Sequence, residues 1–320
     1  MQRLLPYLTI LVLILFAGCQ REKDRLPEEF DLQGHRGAMG LKPENTLPGF
    51  YKAVDLGVTT IEFDLAVSKE HKLVISHEPW FRSNICLQPD GSPIPRDEER
   101  SFRIYELDYE SIAQFDCGSL QHPSHPEQKN MFASKPLMID AIVAIDEYVR
   151  SQARPPIRYN IETKSNPAWY GTLTPEPEVF ARLVFEEFLE LEQRLQDGIL
   201  DRVSVQSFDP HPLQALREIA PGIPIAILTS AEGSVDAHIE YFGFLPEIYS
   251  PQYRILTQEH VDRAQELGML VIPYTINRPE DMKRMVELGV DGLITDYPDR
   301  FNELFPSRRA SIKDLKPSKR

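Results

Sequence analysis

The feature that most constrains the fold is an alternation. Short runs rich in β-branched and aromatic residues recur along the chain with helical stretches between them, the pattern of parallel βα units. Strands are predicted near Asp31–His35, Val58–Asp64, Ile157–Glu162, Arg202–Ser207, Ile223–Leu228, Glu247–Ser250, Met269–Thr275 and Gly292–Thr295. Helices fit between them at Pro48–Leu56, Ile139–Arg150, Pro177–Leu195, His211–Ile219, Val235–Phe242, Gln258–Leu267 and Pro279–Leu288. Glycine directly after Leu267 and Leu288 suits left-handed helix caps. This α/β pattern points to a (β/α)8 TIM barrel over residues 31–305. A doubly wound open sheet is the alternative, but no Gly-x-Gly-x-x-Gly follows an early strand. With 320 residues, 42% of them hydrophobic, the chain can build a core of that size.

The amino terminus reads differently. Arg3 precedes an apolar run, Leu4–Phe16, of about 13 residues, against roughly 20 for a spanning helix. With Ala17-Gly18-Cys19 after it, this is a secretory signal similar to that of bacterial lipoproteins, residues 1–18 being removed and Cys19 lipidated. A plain signal peptide with Cys19 incidental is the alternative. Residues 19–30 then form a tether, and the expected location is an exported, membrane-anchored lipoprotein facing the periplasm or cell surface. An oxidising compartment permits a disulfide between Cys86 and Cys117, two separate buried thiols being the other option.

From about residue 79 to 135 the chain carries Pro89, Pro93, Pro95, Pro123 and Pro126 without sustained helical period, and reads as an insertion capping the site. Residues 306–320, rich in Lys and Arg, read as a basic tail. The net charge of −14 argues against a nucleic-acid partner, since phosphate backbones demand clustered Lys and Arg.

Barrel enzymes place their working groups at the carboxyl ends of strands. Here those ends carry His35 and Arg36, Glu62 and Asp64, Glu162 and Lys164, Gln206 and Ser207, Tyr274 and Thr275, and Thr295 and Asp296. Glu62 and Asp64 lie two apart, so both leave the same face of a strand. Two converging carboxylates repel, and a hard cation such as Mg²⁺ or Ca²⁺, with Glu162 as a third oxygen donor, resolves the conflict. Ordinary ion pairs to Arg36 and Lys164 are the competing reading. A hairpin pairing symmetrically about Lys69 and Glu70 sets Val67 against Lys72 and Glu62 against His77. Two histidines near a cation suit phosphodiester cleavage, one removing a proton and the other protonating the leaving alkoxide. His122 and His125 have metal-like spacing, but in a Pro-rich loop.

At these positions the sequence resembles the glycerophosphodiester phosphodiesterase family. The resemblance rests on His35-Arg36-Gly37 with Pro43-Glu44-Asn45-Thr46, Ile61-Glu62-Phe63-Asp64, His77-Glu78-Pro79 and Ile161-Glu162-Thr163-Lys164. Gln206-Ser207-Phe208, Tyr274-Thr275-Ile276-Asn277 and Gly289 through Asp296 continue it. It implies hydrolysis of glycerophosphodiesters, small deacylated phospholipids, to sn-glycerol 3-phosphate and an alcohol, dependent on one divalent cation, Ca²⁺ or Mg²⁺. It further implies His35 and His77 as the acid/base pair and Glu62, Asp64 and Glu162 as metal ligands. Arg36 and Lys164 match phosphate-contacting positions, Glu44 an inner polar support, and Tyr274 the leaving-group pocket, where tryptophan is frequent in the family. Glu78 stands where aspartate is commoner. The attacking oxygen is either a glycerol hydroxyl, by way of a cyclic phosphate, or water. Lysophospholipase D activity on monoacyl lipids and a non-catalytic binding lipoprotein are the alternatives.

Overall fold

The computed structural model describes residue 26 and residues 30–306; the signal segment, Cys19, most of the tether and the basic tail lie outside the described residues. The strands are β1 (Asp31–Gly34), β2 (Thr60–Val67), β3 (Leu73–Ile75), β4 (Arg158–Thr163), β5 (Val203–Ser207), β6 (Ile225–Thr229), β7 (Ile248–Pro251), β8 (Leu270–Val271) and β9 (Gly292–Thr295). All but β3 are parallel neighbours in the order β8-β7-β6-β5-β4-β2-β1-β9. Main-chain bonds from Ile294 N–H to the Pro273 carbonyl and from Ile276 N–H to the Ile294 carbonyl, both 2.9 Å, bring the two ends of this order together. The architecture is a nearly closed (β/α)8 barrel. The strand predicted at Met269–Thr275 is cut to two residues because Pro273 has no N–H for the ladder. The chain stays extended beyond it, with Tyr274 N–H bonded to the Pro251 carbonyl at 3.1 Å.

The helices pack outside: α1 (Leu47–Asp55), the short α2 (Tyr109–Ile112), α3 (Met138–Ser151), α4 (Pro177–Leu195), α5 (Pro210–Ile219), α6 (Val235–Phe242), α7 (Gln258–Glu266), α8 (Pro279–Glu287) and α9 (Pro298–Leu304). Outward strand residues such as Ile61, Phe63, Tyr159 and Ile161 meet inward helix residues such as Phe50, Ile142, Phe180 and Phe188 in one large core. Proline at the start of α4, α5, α8 and α9 fits a position whose N–H has no helical partner.

Inside the barrel the filling is divided. Ala226, Ile248, Ile272 and Ile294 form a small apolar cluster on one side. On the other, a polar column crosses the barrel: Gln206 Nε2 donates to Glu62 at 2.9 Å, and Asn160 Nδ2 donates to Gln206 at 2.9 Å and to Gln33 at 2.8 Å. Gln33 in turn donates to Asp31, which also takes hydrogen bonds from Thr59 and Thr60 and pairs with Arg158. Buried amides are tolerated here because their neighbours satisfy them.

The β2–β3 hairpin corrects one expectation. Leu65 pairs with Ile75 and Val67 with Leu73, one residue away from the predicted register. The turn holds three residues, with Ser68 N–H bonded to the Lys72 carbonyl and His71 left-handed at φ +62°, the geometry of a three-residue hairpin loop. β3 ends at Ile75, with one further bond from Ser76 N–H to the Asp64 carbonyl at 2.9 Å, so His77 follows the last paired residue and is not the cross-strand partner of Glu62.

The stretch after β3 is ordered. Phe81, Ile85, Ile94, Ile104, Ile112 and Phe115 form a separate small core against Ala66 and Val74, and Phe81 stacks on Phe115 at 3.8 Å. Cys86 and Cys117 form a disulfide across it, their Cα atoms 4.0 Å apart. Among the described residues no helix is long and apolar enough to cross a membrane.

Candidate active site

The working end is built from strand termini and the loops that follow them. After Gly34 the chain turns sharply: Arg36 has φ +48° and Gly37 φ +87°. A side chain on Gly34 would meet the Gly37 carbonyl at 2.3 Å, and one on Gly37 the Gly49 backbone at 2.6 Å. These glycines serve the turn and its packing on α1. The strained Arg36 backbone is held by its N–H donating to Glu62 Oε2 at 2.9 Å, while Gly37 N–H reaches the Glu62 carbonyl at 3.2 Å. Thr46 caps α1, and Asn45, left-handed at φ +56°, turns its amide to Asp64 at 2.9 Å.

Glu62, Asp64 and Glu162 are buried and offer one oxygen each within 4.8 Å of one another. The ion pairs of the competing sequence reading are present. Lys164 Nζ lies 2.6 Å from Glu162 and 3.7 Å from Asp64, and Arg36 Nε lies 3.2 Å from Asp64. Even so, Asp64 Oδ1 is buried without a hydrogen-bond partner. Burial pushes the Glu62 carboxyl up to about 8, with His35 opposing and the Asp64 and Glu162 charges adding. Burial also works against ionised Asp64, but His77, Arg36 and Lys164 outweigh it and hold that carboxyl below the usual range. Three hard oxygen donors, one of them orphaned, with charge that two cations leave incompletely balanced, fit a divalent cation.

His35 and His77 flank this cluster. His35 Nε2 lies 4.0 Å from Glu62, and its Nδ1 is 2.5 Å from Asp296, which Asn277 holds from behind at 2.6 Å. Burial disfavours a charged His35, yet Asp296 and Glu62 outweigh it and raise the imidazole above its ordinary value. His77 Nδ1 contacts Glu78 at 2.8 Å, and the ring is close enough to the cluster to favour the ionised forms of Asp64 and Glu44. Each ring thus has one nitrogen held by a carboxylate and the other free for the site. Glu44 binds Arg36 Nη1 at 3.0 Å, on the far side from Asp64. Tyr274 donates its hydroxyl to the Thr229 carbonyl at 3.1 Å and packs edge-on to Phe208 at the rim.

Sequence reasoning noted Asp296 at its strand end without giving it a part, and did not see Gln206 and Asn45 as partners of Glu62 and Asp64. The signal for Asp296 was its place at a strand terminus, level with His35. His122 and His125 are in none of the acidic metal-type groups among the described residues; they face Glu44 and Asp296 instead.

Fold and site together define a barrel enzyme with a carboxylate cluster suited to a divalent cation and two carboxylate-held histidines. The sequence model of the glycerophosphoryl diester phosphodiesterase family matches residues 35–300, and the chain belongs to that family. A glycerophosphodiester phosphodiesterase of Bacillus subtilis is 28% identical over 281 residues, 87% of either chain. A solved structure named for the same activity, from Silicibacter pomeroyi, is 26% identical with a TM-score of 0.76, covering 89% of this chain and 96% of that one. A phosphodiesterase of Oleispira antarctica, solved with the product sn-glycerol-3-phosphate, has a TM-score of 0.67 at 21% identity, covering 88% and 97%.

Proposed function

We propose that the protein hydrolyses small glycerophosphodiesters to sn-glycerol 3-phosphate and an alcohol by acid–base catalysis through His35 and His77. One observation carries this reading: a buried carboxylate triad lies between two histidines, each fixed at Nδ1 by its own carboxylate, beside Arg36 and Lys164. Arg36 and Lys164 take the phosphate oxygens and offset the charge that builds as the diester is attacked. One histidine accepts the proton of the attacking hydroxyl or water, and the other delivers a proton to the departing alkoxide. Asp296 and Glu78 keep each ring aimed. Glu62, Asp64 and Glu162 would hold Ca²⁺ or Mg²⁺, which when bound supplies charge neutralisation at the phosphate. Tyr274 and Phe208 would shape the leaving-group side.

A monoacyl lipid would need an apolar channel beneath the insertion. The apolar side chains there pack on one another around the disulfide, which supports the small substrate. Membership of an enzyme family weighs against the binding-only alternative. We also place the protein outside the cytoplasm, anchored through Cys19; the disulfide fits an oxidising compartment.

The test is product analysis on glycerophosphocholine, glycerophosphoethanolamine, glycerophosphoinositol and lysophospholipids, with and without chelator. Release of glycerol 3-phosphate that chelator abolishes and Ca²⁺ or Mg²⁺ restores is expected. Full activity in excess chelator would remove the cation, and turnover of lysolipids alone would replace the substrate. His35→Ala and His77→Ala should each lower kcat by on the order of 10² to 10⁴.

A further inference from the structure

The insertion returns to the barrel as His122-Pro-Ser-His-Pro126, a turn closed by His125 N–H to the His122 carbonyl at 3.2 Å and by Gln121 Nε2 to the His125 carbonyl at 2.8 Å. It is seated on the loop after β1: Lys129 N–H donates to the Leu41 carbonyl at 2.9 Å and Gln128 Nε2 to the Met39 carbonyl at 2.7 Å. Both imidazoles are more than nine-tenths buried, at 6% and 7% exposure, and their centroids are 4.5 Å apart. Two histidines are costly to bury unless their nitrogens are used.

Each faces a different carboxylate, and each carboxylate already holds a working residue, Glu44 holding Arg36 and Asp296 holding His35. His122 Nε2 lies 3.2 Å from Glu44 Oε2, the oxygen that Arg36 does not take; both atoms are buried and neither has a hydrogen-bond partner among the described residues, so each is the nearest polar group left for the other. Ser124 N–H donates to His122 Nδ1 at 3.2 Å, so the ring proton sits on Nε2, toward Glu44. His125 Nε2 lies 3.7 Å from Asp296 Oδ2, while Oδ1 holds His35; Tyr297 hydroxyl meets His125 Nδ1 at 3.1 Å.

We propose that His122 and His125 are positioning residues of the phosphodiester site, the first fixing Glu44 so that Arg36 is aimed at phosphate, the second fixing Asp296 so that His35 is aimed at the reacting oxygen. A neutral imidazole suits both tasks, His122 in polar contact with its carboxylate and His125, at 3.7 Å, by packing against its own rather than by a hydrogen bond. It restrains the carboxylate while leaving its full negative charge for the cation in front, where a lysine or arginine would compete for it. Burial holds the His125 imidazole below its ordinary value, in keeping with a neutral ring.

This inference rests on the proposed phosphodiesterase reading, and its test separates the two. His122→Ala should weaken calorimetric binding of sn-glycerol 3-phosphate about tenfold and raise KM for glycerophosphocholine in parallel, with kcat within about twofold. His125→Ala should lower kcat about tenfold with KM near the wild-type value. His122→Gln and His125→Gln, which retain an N–H at similar reach, should recover most of each loss. Wild-type kinetics in both alanine variants would overturn the proposal. So would losses in which kcat and KM move together, follow a lower melting temperature and are not recovered by glutamine. The binding arm needs no turnover: a wild type that binds sn-glycerol 3-phosphate in a His122-dependent way, yet cleaves no diester, would refute the hydrolytic reading and support the part given to His122.

Discussion

Removing the Cys86–Cys117 disulfide, by a double change to serine or by reductant, would test how the insertion is held to the barrel. The bridge spans 31 positions. Closing a loop of that length takes about 12 cal/mol/K from the entropy of the unfolded chain, or about 3.7 kcal/mol at 25 °C. The small core around Phe81 and Phe115 packs on the barrel through Ala66, Val74 and Leu137, and the segment after Cys117 is bonded to the loop after β1 through Gln128 and Lys129. For a chain of this size, at about 2.1 cal/mol/K of unfolding entropy per residue, the change corresponds to about 6 °C in melting temperature if the insertion unfolds with the barrel. If the insertion opens by itself, the same free energy emerges as protease sensitivity confined to residues 79–135. His122 follows Cys117 by five positions, so turnover should fall in either case. Urea unfolding, limited proteolysis and steady-state kinetics, each with and without reductant, make the comparison. An unchanged urea midpoint together with an unchanged cleavage pattern would refute the reasoning.

Asp296→Asn should lower kcat by roughly 10²- to 10⁴-fold with little change in melting temperature, because a neutral amide no longer fixes or charges His35 through Nδ1; a loss under threefold would remove Asp296 from the site. Burial pushes Glu187 on α4, beside the Leu73 N–H, up to about 7 from an ordinary value of 4.5. Its contribution is therefore fully present below about pH 4.5 and is lost as pH rises through about 7. Glu187→Gln should match the wild type near pH 4 and exceed it by about 1 to 3 kcal/mol at pH 8; equal urea midpoints at pH 8 would exclude this. Gly37→Ala sets a methyl against the Gly49 backbone at positive φ and should lower the melting temperature and kcat together; wild-type behaviour would mean that the turn can relax.

What could be read from the sequence was what alternation along a strand determines. Glu62 and Asp64 share a face because side chains repeat every second residue, and Glu162 on β4 with Lys164 just beyond it follows the same rule. Where local conformation or distant contacts decide, the reading failed. The hairpin register depended on one left-handed residue, His71, and the eighth strand on the missing N–H of Pro273. The partners of His122 and His125 lie 78 and 171 positions away, and nothing local announces them. Asp296 was visible as a strand-end acid, but its pairing with His35 follows from closure of the barrel, which sets Gly34 beside Thr295.

The direction of β1 has a consequence for how the enzyme meets its surroundings. Phe30, stacked on Phe301 at 5.2 Å, enters the barrel at the amino ends of the strands, and His35 leaves it at the carboxyl ends. Whatever precedes Phe30 is therefore attached to the floor of the molecule, with the mouth at the opposite pole. From Cys19 to Phe30 the chain could reach at most about 40 Å when fully extended. Under the anchoring proposed above, the tether would leave from the pole opposite the mouth and so keep clear of the site.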